Sequence, residues 1–159
     1  MVDPADIDES PRTGEGPVDY VARVAAEKLA AVSGRHPGGT VVAADTTVDL
    51  DGTVLGQPVD AAAARRMLGL LSGRTHSVHT AVAVSFRGEV RTALVTSTVA
   101  FRQLSPERID WYVGTGEPFG KAGSYAVQGL GLVLVSHVRG SLTNVIGLPV
   151  PETLALLAP

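Results

Sequence analysis

The sequence predicts an α/β domain: a mixed, twisted sheet with flanking helices and a long β-hairpin. Three observations predict it. Segments that alternate every second residue are interspersed with segments whose apolar residues recur at helical spacing. Two Val- and Thr-rich runs, His76–Phe86 and Glu89–Phe101, flank an Arg87-Gly88 turn and should pair as the hairpin. The 159 residues are 45% hydrophobic and 18% charged, which supplies one real core and argues against disorder. An antiparallel hairpin of this length excludes a clean parallel βαβ repeat. Residues 1–159 are expected to form one domain.

In chain order, residues 1–16 are polar and carry Pro4, Pro11, Gly14 and Gly16, the composition of an irregular segment. A helix should run from Pro17 to about Ser33, with Pro17 at its first position and Gly34 at its stop. Its apolar stripe is Val21, Val24, Ala25 and Val32. Lys28 falls within that stripe, four residues from Val24 and from Val32. Either its stem snorkels past the neighbours, or it projects into a polar site on the adjoining sheet.

The strand Thr40–Leu50 follows. Alternation puts Val41, Ala43, Asp45, Thr47 and Asp49 on one face. Leu50-Asp51-Gly52-Thr53 signals a two-residue hairpin, and Gly56-Gln57-Pro58 ends the returning strand. Asp60 should cap a helix to about Ser72, stopped by Gly73. After the long hairpin, Ser105-Pro106 opens a helix that ends near Gly114–Gly116. A Gly-rich loop, Glu117–Gly123, surrounds Lys121. Ser124–Gln128 is expected to be extended, and Leu132–Val138 to be a strand. Arg139-Gly140 turns the chain, and Pro151 starts a last short helix.

The net charge of −3 gives no basic footprint for nucleic acid or anionic membranes. There is no cysteine, so no disulfide, thiolate metal site or thiol nucleophile. The opening MVDPADIDESPR has no apolar stretch of the signal-peptide kind, and the longest apolar run, near Leu130–Val138, is far below the roughly 20 residues of a membrane span. The expectation is a cytoplasmic protein without membrane or nucleic-acid partners.

No G-x-G-x-x-G, P-loop or G-x-S-x-G motif is present. His76 and His79 are three apart on a strand, so they face opposite ways and cannot share a metal. Carboxylates, lysines and glycine-rich bends remain, a set that suits phosphate chemistry. Carboxylates hold a divalent cation, lysines neutralise phosphate oxygens, and glycines let backbone N–H groups approach. The candidates are Asp45, Glu9, Lys28 and Lys121. Asp45 is an ionised side chain within Val-Val-Ala-Ala-Asp-Thr-Thr-Val, costly unless something cationic meets it. It reads either as a buried partner of Lys28 or as a base acting on water. Asp49 and Asp51 are assigned to the hairpin turn.

Eight ordered segments then carry a family resemblance. They are Asp6-Ile7-Asp8-Glu9; Tyr20-Val21 to Ala26-Glu27-Lys28; Ala44-Asp45-Thr46; Leu71-Ser72-Gly73-Arg74-Thr75-His76; Thr115-Gly116-Glu117-Pro118; Lys121-Ala122-Gly123-Ser124-Tyr125; Gln128-Gly129-Leu130-Gly131; and Gly140-Ser141 with Asn144 to Pro149. Over nearly its whole length the chain resembles the Maf family of nucleoside triphosphate pyrophosphatases, related in fold to the inosine triphosphate pyrophosphatases. The resemblance implies hydrolysis of a nucleoside triphosphate to the monophosphate and pyrophosphate with a divalent metal, Mg²⁺ or Mn²⁺. It implies that Asp45 accepts the proton, that Glu9, Lys28 and Lys121 are site residues, and that Asp45 and Glu9 hold the metal. Thr46 and Gln128 match positions linked to base choice and resemble the dTTP/UTP subgroup. Gln57 occupies a G-x-P turn that usually carries lysine, so it is a candidate phosphate contact without charge. The family pattern opens with a strand, an S-x-S-P-R-R loop and a helix. Met1 falls just before the D-I-D-E segment, so the expectation is a domain short of that first strand and helix, with an exposed sheet edge. A homodimer is also implied. The alternative reading is a weak or inactive homologue that binds nucleotide or regulates septum formation.

Overall fold

The computed structural model describes residues 1–158. Residues 1–12 carry no helix or strand, as their Pro-rich polar composition predicts. Helix α1 spans Pro17–Ser33 and buries Val21, Val24, Ala25 and Leu29. The extra buried position, Leu29, completes the i, i+4 row begun by Val21 and Ala25. Strand β1, Val41–Leu50, turns at Asp51-Gly52 into the short β2, Thr53–Leu55. Helix α2 covers Ala61–Leu71, and the Asp60 carboxylate caps it by accepting from Ala63 N–H at 2.6 Å. Strands β3, Thr75–Phe86, and β4, Glu89–Phe101, form the long hairpin. Both hairpins have positive φ at each central residue, 52° and 82° at Asp51-Gly52 and 53° and 82° at Arg87-Gly88, as a type I′ turn requires.

Helix α3 spans Pro106–Gly114, with Ser105 Oγ accepting from Arg108 N–H. Strand β5, Val135–Arg139, and two short helices, α4 at Leu142–Ile146 and α5 at Val150–Leu156, complete the chain. The sheet order is β2-β1-β3-β4-β5, and every pairing is antiparallel. β3 lines β1 from Val41 to Asp49, whereas β2 reaches only Val48–Leu50. Among the described residues, the outer edge of β1 from Val41 to Thr47 therefore has no strand beside it. No described helix is long and apolar enough to cross a membrane.

Each face of the sheet has its own core. α1 packs Val21, Ala25 and Leu29 on Val41, Ala81 and Ala83. The opposite face joins Val48, Leu50, Val78, Val99 and Phe101 to Leu68, Leu71, Tyr112, Val127 and Leu134. Each fully buried large apolar side chain contributes about 1.5–3 kcal/mol.

The stretch after Lys121 departs from expectation. Ser124–Gln128 forms no strand, and Ala122–Ser124 and Leu130–Leu134 are 3₁₀ turns, so β5 starts at Val135 rather than Leu132. Glu117 supplies the reason. Its carboxylate accepts from the N–H groups of Leu130 and Gly131, both at 2.8 Å, and from Tyr112 Oη–H at 2.7 Å. One acidic side chain thus gathers a loop that alternation alone reads as extended. A Cβ at position 131 would meet Ala126 O and Tyr112 Oη at 2.6 Å, so the fold needs glycine there. The short helix α4 within S-L-T-N-V-I-G was also not expected. Ser141 Oγ nucleates it by accepting from Asn144 N–H at 3.2 Å.

Candidate active site

Successive residues of β1 leave opposite faces of the sheet. Asp45 faces α1, and Thr46 faces α4. From α1, Lys28 Nζ donates to Asp45 Oδ1 at 2.8 Å and to Glu9 Oε2 at 2.9 Å. Of the two readings of Lys28, the geometry selects the second: its ammonium reaches across to the sheet. The Asp45 side chain is 9% exposed, that of Glu9 46%.

Glu9 lies on irregular chain, yet that chain is tied to α1. Arg23 pairs with Glu15 at 2.6 Å and Glu27 at 3.0 Å, and donates to Ser10 O at 3.1 Å. Arg12 adds a bridge to Glu27 at 2.8 Å. The Arg23 guanidinium holds the Glu15 carboxyl down at about 2.

A cleft of about 950 Å³ opens at the free edge of β1. Glu9, Lys28, Asp45, Thr46, Gln57, Lys121 and Gln128 all line it, so the fold brings every sequence candidate to one place. Gly123 N–H donates to Gly56 O at 3.0 Å, which fastens the Lys121 loop beside the turn that carries Gln57.

Burial pushes the Asp45 carboxyl up, and the Lys28 ammonium pulls it back only in part, leaving it above the ordinary aspartate range. Burial acts to lower Lys28, but its two carboxylate partners outweigh that and raise it. The two directions agree physically. Lys28 divides one charge between two acids, so it offsets the burial of Asp45 only in part.

Asp49 belongs to the turn as expected: its Oδ1 accepts from Gly52 N–H at 2.7 Å, while Oδ2 lies 3.2 Å from His79 Nε2. His76 faces the opposite core, with Nε2 2.8 Å from Tyr125 Oη. Two cleft residues escaped sequence reasoning. Tyr20 lines the cleft from α1, and Thr47 shares the Asp45 face. Among the described residues, Thr47 Oγ1 is buried without a hydrogen-bond partner, as is Asp45 Oδ2. The position two residues after Asp45 was the available signal for Thr47.

A family model described as Maf-like protein matches residues 1–159. The chain belongs to the Maf-like protein family. It is 53% identical over 156 residues to a dTTP/UTP pyrophosphatase of Myxococcus xanthus, covering 98% of this chain and 79% of that protein. It is 56% identical over 158 residues to one of Anaeromyxobacter dehalogenans strain 2CP-1, covering 97% and 79%. A dTTP/UTP pyrophosphatase of Nitrosomonas europaea is 46% identical over 159 residues, covering 97% and 77%.

The Maf-like cleft can be tested for a divalent cation. Among the described residues no three His, Cys, Asp or Glu side chains cluster as ligands. A magnesium-type ion does not need them, because it binds one or two carboxylates, water and substrate phosphates. The orphaned, buried Asp45 Oδ2 is a free acceptor at the cleft, and the Glu9 carboxylate stands across Lys28 from it. The donor set fits a hard cation.

Proposed function

We propose that this Maf-like chain hydrolyses dTTP and UTP to the monophosphate and pyrophosphate, with residues 1–159 acting as one domain. The observation that carries the reading is the cleft-lining Asp45, buried, raised in pKa and left with one unpartnered oxygen. Asp45 takes a proton from the attacking water as that water's oxygen bonds to the α-phosphorus. The bond from that phosphorus to the bridging oxygen breaks, and pyrophosphate leaves. A carboxyl raised above the usual range is a stronger base than an ordinary aspartate. Lys28 holds Asp45 and Glu9 in place, and Lys121 and Gln57 line the same cleft for the phosphate chain. Asp45 and Glu9 would hold Mg²⁺ or Mn²⁺, which when bound supplies charge neutralisation at the phosphate oxygens. Thr46 and Gln128 meet the base. Nucleoside triphosphates of this kind are cytoplasmic metabolites, which supports a cytoplasmic site of action.

The test incubates the chain with Mg²⁺ or Mn²⁺ and a panel of dTTP, UTP, CTP and 7-methyl-GTP, and measures pyrophosphate. Preferential release from dTTP and UTP is expected. Release no greater than from the Asp45→Asn variant would overturn the reading. Light scattering of the same preparation reads whether the chain forms the homodimer that belongs to this proposal.

A further inference from the structure

We infer that Thr80, a fully buried residue on β3, is a specificity-positioning residue: it fixes the Thr46 hydroxyl so that only lone pairs face the cleft. The inference rests on the nucleotide reading above.

Thr80 is 0% exposed and touches no ligand space. It stands opposite Thr46 in the β1–β3 register, on the α4 face of the sheet. The two hydroxyl oxygens are 2.8 Å apart. Thr80 Oγ1 also lies 3.0 Å from Asn144 O, and Thr46 Oγ1 lies 3.4 Å from Gly147 O.

A hydroxyl has one proton and two lone pairs. Two hydrogen-bond assignments each satisfy two of these three contacts. In the first, Thr80 donates to Asn144 O and Thr46 donates to Thr80. In the second, Thr80 donates to Thr46 and Thr46 donates to Gly147 O. The shorter contact, 3.0 against 3.4 Å, favours the first. The first assignment spends the Thr46 proton inside the protein, on Thr80 Oγ1. Thr46 lines the cleft, so it meets a ligand there as an acceptor only.

The position of that acceptor gives it meaning. Glu9, Lys28 and Asp45 gather their charges on the α1 side of β1. Thr46 leaves the other side, beside the uncharged Val145 and Ile146 of α4, while the Lys121 loop packs further along that face against Val48; the α4 end is where a base sits better than a phosphate. An acceptor at this end favours a base that presents a ring N–H. Uracil and thymine carry such an N–H between two carbonyls. Cytosine carries a lone pair at the same ring atom, which would oppose the Thr46 oxygen. A hydroxyl free to rotate would serve either base, so discrimination needs the lock that Thr80 provides.

α4 anchors this lock. Asn144 is fully buried, and its Nδ2–H₂ donates to Val78 O and Ser97 Oγ, both at 3.0 Å. The carbonyl of Asn144 is thereby held against Thr80 on β3, and that of Gly147 lies near Thr46 on β1.

The experiment compares UTP and CTP in the full chain, wild type, Thr80→Val and Thr80→Ser. The specificity ratio of kcat/KM values is read alongside the melting temperature. Equilibrium binding of UTP and CTP in EDTA gives the ratio of affinities without turnover. The expected result is a UTP preference that falls about tenfold in Thr80→Val and is kept in Thr80→Ser. A structural role alone would lower both nucleotides together and leave the ratio fixed. An unchanged ratio in Thr80→Val, or no UTP preference in the wild type, overturns the inference. Absence of turnover with a UTP binding preference that Thr80→Val removes would overturn the hydrolase reading and leave this one standing.

Discussion

Lys28 Nζ lies 2.8 Å from Asp45 Oδ1, so a residue from the middle of a helix's apolar stripe pairs with a carboxylate from the middle of a strand. Removing either partner should act differently. Asp45→Asn keeps the shape but cannot accept the proton, and should lower kcat by about 10²–10⁴-fold. Nucleotide binding should survive. Lys28→Met removes the ammonium that draws the Asp45 carboxyl downward. The acid limb of kcat/KM against pH should then move to higher pH. A limb that stays in place would show that Asp45 is not the group titrating.

Much of this site was legible beforehand because the conflicts in the sequence were local. Asp45 in an apolar strand and Lys28 in an apolar helix stripe each break the pattern around them, and each break marks a cleft residue. Helix α1 and β4 were readable to the residue because proline, glycine and turn chemistry punctuate them. Leu130–Leu134 was not, since the force that curls it comes from Glu117, thirteen residues upstream of Leu130. Thr47 and Thr80 were hidden for another reason. Threonine is an ordinary strand residue, and only the fold shows whether its hydroxyl has a partner.

Glu9 should behave as a cation ligand and not as a structural residue. Its side chain is 46% exposed, and among the described residues its one side-chain partner is Lys28, so Glu9→Gln should leave the melting temperature within about 1 °C. The concentration of Mg²⁺ or Mn²⁺ needed for half-maximal rate should rise about tenfold or more. A titration of rate against metal at saturating nucleotide measures it. An unaltered metal requirement would remove Glu9 from the ligand set.

The Lys121 loop depends on Gly123, whose φ is +67° and whose added Cβ would meet Val48 Cγ2 at 2.8 Å. Gly123→Ala should destabilise the fold by about 1–3 kcal/mol and raise KM by displacing Lys121. Gly120→Ala is the matched control. Its φ is +73°, but nothing lies within 4 Å of the new methyl, so only the backbone strain of roughly 1 kcal/mol applies. Thermal melts of the two variants separate clash from strain. Equal losses would mean that the contact with Val48 is easily relieved.

His76 should make the fold acid-sensitive before the carboxylates do. It is 3% exposed, packed edge-on against Phe101 and Tyr125 at 5.2 and 5.5 Å between ring centres. Burial lowers its pKa to about 4, against about 6.5 in an unfolded chain. Between those values the unfolded state binds the extra proton. Stability therefore rises with pH through this window and is lost as pH falls from about 6.5 to about 4, at up to about 1.4 kcal/mol per pH unit. His76→Gln keeps a hydrogen-bonding group near Tyr125 Oη but cannot take up a proton. It should lower stability at neutral pH through lost aromatic packing, yet flatten the slope across this window. Urea unfolding at half-unit steps from pH 7 to 4 reads both effects. Parallel curves for wild type and variant would assign the acid sensitivity to another group.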